Sequence, residues 1–150
     1  MTRDEGDVTP HPSGGLNAGA PGKARIVVVM PAYNAERTLA QTYRHLPHHI
    51  LDRVIVVDDG SRDGTVDVAR RLDVKLIVHD RNRGYGANQK TCYTEALKAG
   101  ADIVVMVHPD YQYDPRLVPE IIAPIRSGEA DVVVAGGVES ASTVPMGGHV

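Results

Sequence analysis

Residues 53–65, "RVIVVDDGSRDGT", contain the local pattern from which a parallel α/β sheet is built. The β-branched run at 53–58 predicts a strand that is buried on both of its faces. Two aspartates end this strand, and the glycines and Ser61 that follow predict tight turns into a helix over residues 65–72. A buried strand that leads through a short polar loop into a helix is the repeating unit of α/β proteins.

The same alternation extends in both directions along the chain. Further strands are predicted at 25–30, 75–79, 102–107 and 131–136, and further helices at 35–46, at 86–98 and after the Asp114-Pro115 pair. Asp114 is expected to cap its helix, and Pro115 to occupy the first helical position. The sequence therefore predicts a mostly parallel sheet with helices on both faces.

The two ends of the chain differ from this pattern. Residues 1–23 are rich in Gly, Pro and Asp and lack large apolar groups, which predicts a disordered leader. Residues 24–138 are then expected to form the folded domain, and 139–150 an irregular tail without periodicity.

Composition excludes several classes of protein. A net charge of −3 lacks the basic excess that is typical of nucleic-acid binding. The single cysteine, Cys92, excludes an internal disulfide framework. No apolar run approaches the roughly 18 residues of a membrane span, and no apolar core of a secretory signal is present at the start. These features favour a cytoplasmic protein, with a peripheral position at a membrane left open.

Ligands of parallel sheets bind beyond the carboxyl ends of the strands, so the loops at those ends are the candidate sites. The first loop, "PAYN" at 31–34, offers the aromatic face of Tyr33. In the second, Asp58 and Asp59 are adjacent carboxylates that repel one another unless donors surround them. Such carboxylates can accept hydrogen bonds from a nucleobase or a ribose. Asp63 or Ser61 is expected to cap the helix that follows.

Two later loops complete the set. "DRNRGYGANQK" at 80–90 is either a phosphate-binding helix start or a solvated basic loop. After the strand at 102–107 come His108, Asp110 and Gln112, which share one face if the chain stays extended. An imidazole, a carboxylate and an amide can hold a divalent cation or can hydrogen-bond a diphosphate directly. The alternative is a polar turn before a capped helix.

Four motifs in this order resemble family 2 glycosyltransferases, and in particular the bacterial dolichyl- or polyprenyl-phosphate mannosyl- and glucosyltransferases. They are "VVVMPAYNAERTL", "VIVVDDGSRDGT", "NRGYGANQKTCYTEAL" and "DIVVMVHPDYQYDP". The resemblance implies a GT-A fold of which 150 residues contain only the donor-binding half. It also implies sugar transfer from a UDP- or GDP-linked donor, usually with Mg²⁺ or Mn²⁺, to an acceptor such as a lipid phosphate or a glycan.

The resemblance assigns residues as well. Pro31, Ala32, Tyr33 and Asp59 are expected to line the nucleoside, with Asp58 beside them. The metal motif Asp-x-Asp, followed two residues later by Gln, falls on three residues: His108, Asp110 and Gln112.

This sequence departs from the family in having histidine for the first aspartate, which favours Mn²⁺ over Mg²⁺ because Mn²⁺ accepts imidazole more readily. His108 and Asp110 are also the candidates for stabilising the leaving group. Two other functions stay open: a non-catalytic nucleotide-sugar-binding module, and a nucleotidyltransferase, although the latter needs a Gly-rich basic loop that "PAYNAE" does not provide.

Overall fold

The computed structural model describes residues 22–135 of the chain. The strands are β1 (Ile26–Ala32), β2 (Arg53–Asp58), β3 (Lys75–Val78) and β4 (Ile103–Met106). The helices are α1 (Leu39–His45), α2 (Thr65–Arg70), α3 (Tyr85–Lys98) and α4 (Val118–Ser127), with 3₁₀ turns at His48–Ile50 and Pro115–Leu117. All strand pairs are parallel, in the order β3-β2-β1-β4, which confirms the predicted α/β architecture. The predicted tail and all but the last two residues of the predicted leader lie outside the described residues.

Alternate residues of a strand point to opposite faces of the sheet. Because the central strands are apolar at almost every position, both faces are apolar, and helices cover both of them. Val27 and Val29 of β1 pack with Cys92 and Ala96 of α3 on one face. The other face packs against α1, α2 and α4. Its fully buried side chains include Val28, Met30, Leu39 and Ile122. β1 and β2 carry buried residues at almost every position, as expected for central strands.

β1 is longer than the sequence predicted. It was expected to end before Pro31, but Pro31 and Ala32 still pair with Val57 and Asp58 of β2. The backbone N–H of Asp59 also donates to the carbonyl of Ala32 at 2.9 Å. This extension holds the first loop close to the pair of aspartates.

α1 begins later than predicted, at Leu39 instead of residue 35. The intervening residues form turns, because Asn34 has a positive φ of 50° and the backbone N–H of Ala35 donates to the Thr65 hydroxyl at 2.8 Å. Leu97 of α3 is 68% exposed. Asn88, Cys92 and Ala96 lie four residues apart and form the buried stripe, so Leu97 falls outside it.

The predicted fifth strand is wrong for the part of it that the structure describes. Residues 131–135 have no strand conformation, and Val132 and Val134 are 76% and 90% exposed. A valine-rich run favours a strand only where a neighbouring strand completes its hydrogen bonds, and within residues 22–135 no strand pairs with it. The capping prediction is confirmed: the Asp114 side chain accepts from the backbone N–H of Arg116 at 3.0 Å, directly before the Pro115 turn.

Candidate functional site at the carboxyl edge of the sheet

Two cavities open at the carboxyl ends of the strands. The first, of about 400 Å³, lies between the loops that follow β2 and β3. The second, of about 300 Å³, lies between the loops that follow β1 and β4. Tyr33 and Asn82 line both, so the two cavities adjoin. Of the residues singled out from the sequence, the first cavity also contains Asp58, and the second contains Pro31, Ala32, Asp59, His108 and Asp110.

Asp58 is buried at the end of β2 and is only partly satisfied. Its Oδ2 accepts a hydrogen bond from the backbone N–H of Ser61 at 2.9 Å. Its Oδ1 is buried and has no hydrogen-bond partner among residues 22–135. A buried polar atom without a partner costs free energy, so a donor supplied by a ligand would satisfy this oxygen.

Asp59 is buried as well, but three groups of the protein donate to it. Oδ1 accepts from His79 Nδ1 at 2.7 Å and from the backbone N–H of Arg83 at 2.8 Å, and Oδ2 accepts from the backbone N–H of Gly84 at 3.0 Å. Burial raises the pKa of the Asp59 carboxyl, but these hydrogen bonds outweigh burial and hold that pKa below its usual value. Asp59 is therefore ionised and well held at neutral pH.

His79 was not identified from the sequence. It follows β3 directly, as Asp59 follows β2, and the last paired residues of those strands are Asp58 and Val78. The next residue of each strand is therefore a neighbour across the sheet. This register was the signal that could have indicated the pairing of His79 with Asp59, but it depends on knowing that β2 and β3 are adjacent.

The loops after β2 and β3 approach each other so closely that only glycine fits at residue 60. A Cβ on Gly60 would lie 2.7 Å from both the carbonyl carbon of Arg81 and the backbone nitrogen of Asn82. Gly60 also has a φ of 73°, in the left-handed region that side chains disfavour. This glycine is thus required by both the conformation and the packing.

Ser61 and Asp63 both bind the first loop, and neither is the N-cap residue of α2, which is Gly64. The Ser61 hydroxyl accepts from the backbone N–H of Asn34 at 2.8 Å. Asp63 Oδ2 accepts from the backbone N–H of Glu36 at 3.2 Å, and Oδ1 accepts from that of Thr65 at 3.0 Å. The capping expectation is therefore wrong for Ser61 and holds in part for Asp63, which accepts from the first N–H of α2 and also joins two loops that line the site.

The Gly-x-Gly loop does not offer all of its backbone donors to a phosphate. The N–H groups of Arg83 and Gly84 are already bound by Asp59, and the Arg83 guanidinium pairs with Asp80 at 2.8 Å on the surface. Arg81, by contrast, lines the first cavity. Of the two arginines of this loop, Arg81 is therefore the one that is placed to meet a ligand.

The loop after β4 is more exposed. The His108 Nε2 lies 3.0 Å from the Tyr85 hydroxyl, and the two rings stack with centroids 5.6 Å apart. Asp110 is exposed, and its Oδ1 accepts from the backbone N–H of Gln112 at 3.1 Å. Tyr111 forms a hydrogen bond to His45 of α1, which anchors the loop from the other side.

The expectation that His108, Asp110 and Gln112 share one face of an extended chain is wrong. Tyr111 has a φ of 59°, a left-handed conformation that turns the chain between the second and third of these residues. His108 and Asp110 remain together at the second cavity, whereas Gln112 lines neither of the two cavities. The alternative of a polar turn before a capped helix describes the backbone correctly.

An imidazole and a carboxylate at one cavity fit the ligand chemistry of Mn²⁺. Within residues 22–135, however, no three His, Cys, Asp or Glu side chains converge as a ready-made metal site. The two residues could thus supply only part of a coordination sphere, and a bound diphosphate would have to contribute further oxygens. Three residues of the candidate loop at 80–90, Asn82, Tyr85 and Asn88, complete the wall of this cavity.

Comparison with known proteins identifies the family. The sequence profile of the family described as "Glycosyl transferase family 2" matches residues 27–144, so the chain belongs to that family. It is 30% identical over 132 residues to the UDP-N-acetylglucosamine–dolichyl-phosphate N-acetylglucosaminyltransferase of Methanococcus voltae, covering 77% of this chain and 53% of the relative. It is 26% identical over 117 residues to the dolichol-phosphate mannosyltransferase of Pyrococcus furiosus, covering 73% of this chain and 32% of the relative.

Solved structures agree on the fold. Glucosyl-3-phosphoglycerate synthase from Mycobacterium tuberculosis, in complex with Mn²⁺, UDP-glucose and phosphoglyceric acid, superposes with a TM-score of 0.60 at 26% identity. The match covers 71% of this chain and 41% of that structure. The expected GT-A-like fold is confirmed. This chain spans about half the length of the Methanococcus voltae relative and less of the other two. None of the helices between residues 22 and 135 is long and apolar enough to span a bilayer.

Proposed function

We propose that this chain is the donor-binding part of a glycosyltransferase that transfers a sugar from a UDP- or GDP-linked donor. The observation that carries the proposal is the second cavity, in which Tyr33, Asp59, His108 and Asp110 meet at the carboxyl edge of the sheet. These residues come from three separate loops of a chain that belongs to glycosyl transferase family 2. The mechanism is direct displacement at the anomeric carbon of the sugar.

The nucleoside is proposed to lie across the two cavities. Tyr33 is 48% exposed and lines both, so its ring is available to stack on a base. The partnerless Oδ1 of Asp58 can accept from a base N–H or a ribose hydroxyl. The sequence favoured Asp59 for this contact, but three of the roughly four acceptor positions of that carboxylate are occupied. We therefore assign the direct contact to Asp58 first and a smaller share to Asp59, with Pro31 and Ala32 as the wall.

His108 and Asp110 are the residues that would hold a divalent cation. When bound, the cation would offset the charge that develops on the departing nucleoside diphosphate. His108 is fixed by Tyr85 and can also donate to a phosphate oxygen. Asp110 is fixed by the turn to Gln112, which orients its carboxylate without itself lining the cavity.

A polyprenyl phosphate is the proposed acceptor. Support comes from the names of the two curated relatives, both of which refer to dolichyl or dolichol phosphate. The phosphate oxygen of such an acceptor is already anionic, so the transfer needs little help from a general base. The reaction would then take place at a membrane surface, with the protein bound peripherally.

Calorimetric titration of the chain with UDP, GDP, UDP-glucose and GDP-mannose, with and without Mn²⁺, tests the donor assignment. One nucleoside diphosphate should bind at least tenfold more tightly than the other, and Mn²⁺ should strengthen its binding. Equal and very weak binding of every compound would contradict the proposal.

A second candidate function is a nucleotide-sugar-binding module without transferase activity. It is favoured by His108, which stands where the family's metal motif has its first aspartate. Incubation with the preferred donor and a polyprenyl phosphate separates the two functions. Product formation supports the transferase, and tight donor binding without turnover supports the module.

A further inference from the structure

A line of three polar side chains crosses the layer between the sheet and α3. The His79 ring lies between the Asp59 carboxylate, 2.7 Å from Nδ1, and the Thr91 hydroxyl, 2.9 Å from Nε2. Asp59 and His79 are both buried, and Val57 and Cys92 belong to the apolar cluster of the same layer. Both ring nitrogens therefore have a partner within the protein.

Hydrogen-bond chemistry fixes the proton on one of those nitrogens. An ionised carboxylate only accepts, so His79 Nδ1 must carry the hydrogen that joins it to Asp59. The Thr91 hydroxyl can both donate and accept, and it also lies 3.2 Å from the Ala87 carbonyl. Nε2 is thus satisfied with or without a hydrogen of its own, whereas Nδ1 is satisfied only with one.

Asp59 connects His79 to the loop that lines the first cavity. The same carboxylate holds the backbone N–H groups of Arg83 and Gly84, at the end of the loop that begins at His79. That loop supplies Asp80, Arg81 and Asn82 to the first cavity. A carboxylate free to rotate would lose the two hydrogen bonds through which it holds the end of this loop.

We propose that His79 is a positioning residue of the donor site. Held as the Nδ1-protonated form, it orients Asp59, and Asp59 in turn fixes the backbone of residues 82–84 where Arg81 and Asn82 border the nucleotide. The proposal rests on the proposed function only in taking the ligand to be a nucleoside diphosphate. The position of the ring proton and its effect on the loop do not depend on any ligand.

The first test is nuclear magnetic resonance of the ligand-free chain with ¹⁵N-labelled histidine. His79 Nδ1 should show a bonded proton across pH 6 to 8, although the Nε2-protonated tautomer is the commoner one for a free histidine side chain. The amide protons of Arg83 and Gly84 should lie downfield, as expected for bonds to a carboxylate, and should move upfield in His79→Leu. A ring protonated only at Nε2, or amide shifts indifferent to the substitution, would overturn the proposal.

The second test compares nucleotide affinity in matched variants. His79→Asn places an amide donor roughly where Nδ1 lies, so affinity for UDP or GDP with Mn²⁺ should stay within about threefold of the parent chain. His79→Leu keeps the bulk but removes the donor and should weaken binding about tenfold, the scale of one charge-assisted hydrogen bond. Thr91→Val removes only the outer contact and should have the smaller effect.

Ala96→Gly is the control for a general loss of stability. Ala96 is buried in the same apolar cluster under α3, and its side chain has no polar atom with which to join the line of three polar residues. If Ala96→Gly weakens binding as much as His79→Leu at an equal shift in Tm, the role of His79 is structural and the proposal fails. If His79→Leu does not fold, the resonance of the parent chain and the Thr91→Val and His79→Asn affinities still decide the matter.

The two proposals can fail separately. A chain that binds neither UDP nor GDP, but shows the Nδ1 proton and the coupled amide shifts, contradicts the donor-binding function and leaves the His79–Asp59–loop linkage supported. Nucleotide binding that is unaffected in His79→Leu supports the donor-binding function and contradicts the positioning role of His79.

Discussion

The loops that follow β2 and β3 are built very differently from the loop that follows β4, although all of them carry aspartates at the edge of the sheet. In the first two, buried Asp59 takes three donors and Gly60 leaves no space for a side chain. In the third, Asp110 is exposed and accepts one hydrogen bond from its own turn. Acidic residues that look alike in the sequence therefore divide into those that hold the site together and those left available to a ligand.

The largest effect is expected from Asp59→Ala. Removing this carboxylate leaves His79 Nδ1 and the backbone N–H of Arg83 without an acceptor, whereas the N–H of Gly84 keeps Asn82 Oδ1. Each buried donor left unsatisfied costs about 1–3 kcal/mol. Denaturant unfolding followed by circular dichroism measures the loss. A change below about 1 kcal/mol would mean that water replaces the lost acceptor and that the β2 and β3 loops are no more rigid than the β4 loop.

The contribution of ionised Asp59 to stability should also be measurable in the unmodified chain, as a loss of stability in acid. The pKa of Asp59 is lower in the folded chain than its usual value of 3.8, so its contribution is complete above that value. The contribution is lost as pH falls further, through the lowered folded pKa. Unfolding free energies measured from pH 6 to pH 3 should fall more steeply for the parent chain than for Asp59→Asn. Parallel curves would assign acid unfolding to other groups.

Asp58→Ala should affect binding more than folding. Its Oδ1 has no partner within the described part of the chain, so its removal strands only the backbone N–H of Ser61. We expect about 1–3 kcal/mol of lost nucleotide affinity, the usual cost of a lost hydrogen bond to a buried group, with a smaller loss of stability than in Asp59→Ala. Calorimetry and unfolding on the two variants give the comparison. A larger loss of nucleotide affinity in Asp59→Ala than in Asp58→Ala would indicate that Asp59 makes the nucleoside contact.

His108→Asp tests the β4 loop directly. An oxygen ligand in place of imidazole should shift the preference of donor binding from Mn²⁺ toward Mg²⁺ by a few fold, because Mg²⁺ prefers oxygen. The variant also loses the hydrogen bond to Tyr85, so Tyr85→Phe serves as the control for that contact. The same Mn²⁺-to-Mg²⁺ ratio in all three proteins would argue that His108 contacts the phosphate and not the cation.

Gln112→Ala should have the smallest effect, within about 0.5 kcal/mol of the parent affinity. The side chain lines neither cavity, and only the backbone of Gln112 supports Asp110. Asp110→Ala is the matched comparison and should reduce Mn²⁺-dependent binding clearly. An equal loss in both variants would mean that the loop rearranges on binding and brings Gln112 to the cation, as the family motif implies.

Much of the fold followed from local patterns. The β-branched runs, the polar loops and the Asp114-Pro115 pair each specify structure over a few residues, so strands, helices and cap were predicted nearly in place. The fifth strand failed because strand formation depends on a partner strand that local sequence does not report.

The site was harder to predict because local sequence does not report which strands and helices are neighbours. Asp58, Asp59, His108 and Asp110 were predicted to lie together because they end or follow strands, and strand ends meet at one edge of a parallel sheet. The structure places all four at the two cavities of that edge. His79 was missed because its role depends on which strands are neighbours. The left-handed turn at Tyr111 was missed because tyrosine gives no local signal for it.

The hydrogen bonds of Asp59 also bear on the order in which the chain folds. Its donors lie 20, 24 and 25 residues further along the chain, so β2 can pair with β1 before any of them has arrived. Until β3 and the start of α3 dock, the carboxylate must keep its water. We therefore expect the loops of the site to reach their native conformation only after the folding transition state. Contacts that form after the transition state slow unfolding without speeding folding. For such a site, we expect the lifetime of the native loop conformation to depend on how often α3 separates from the sheet.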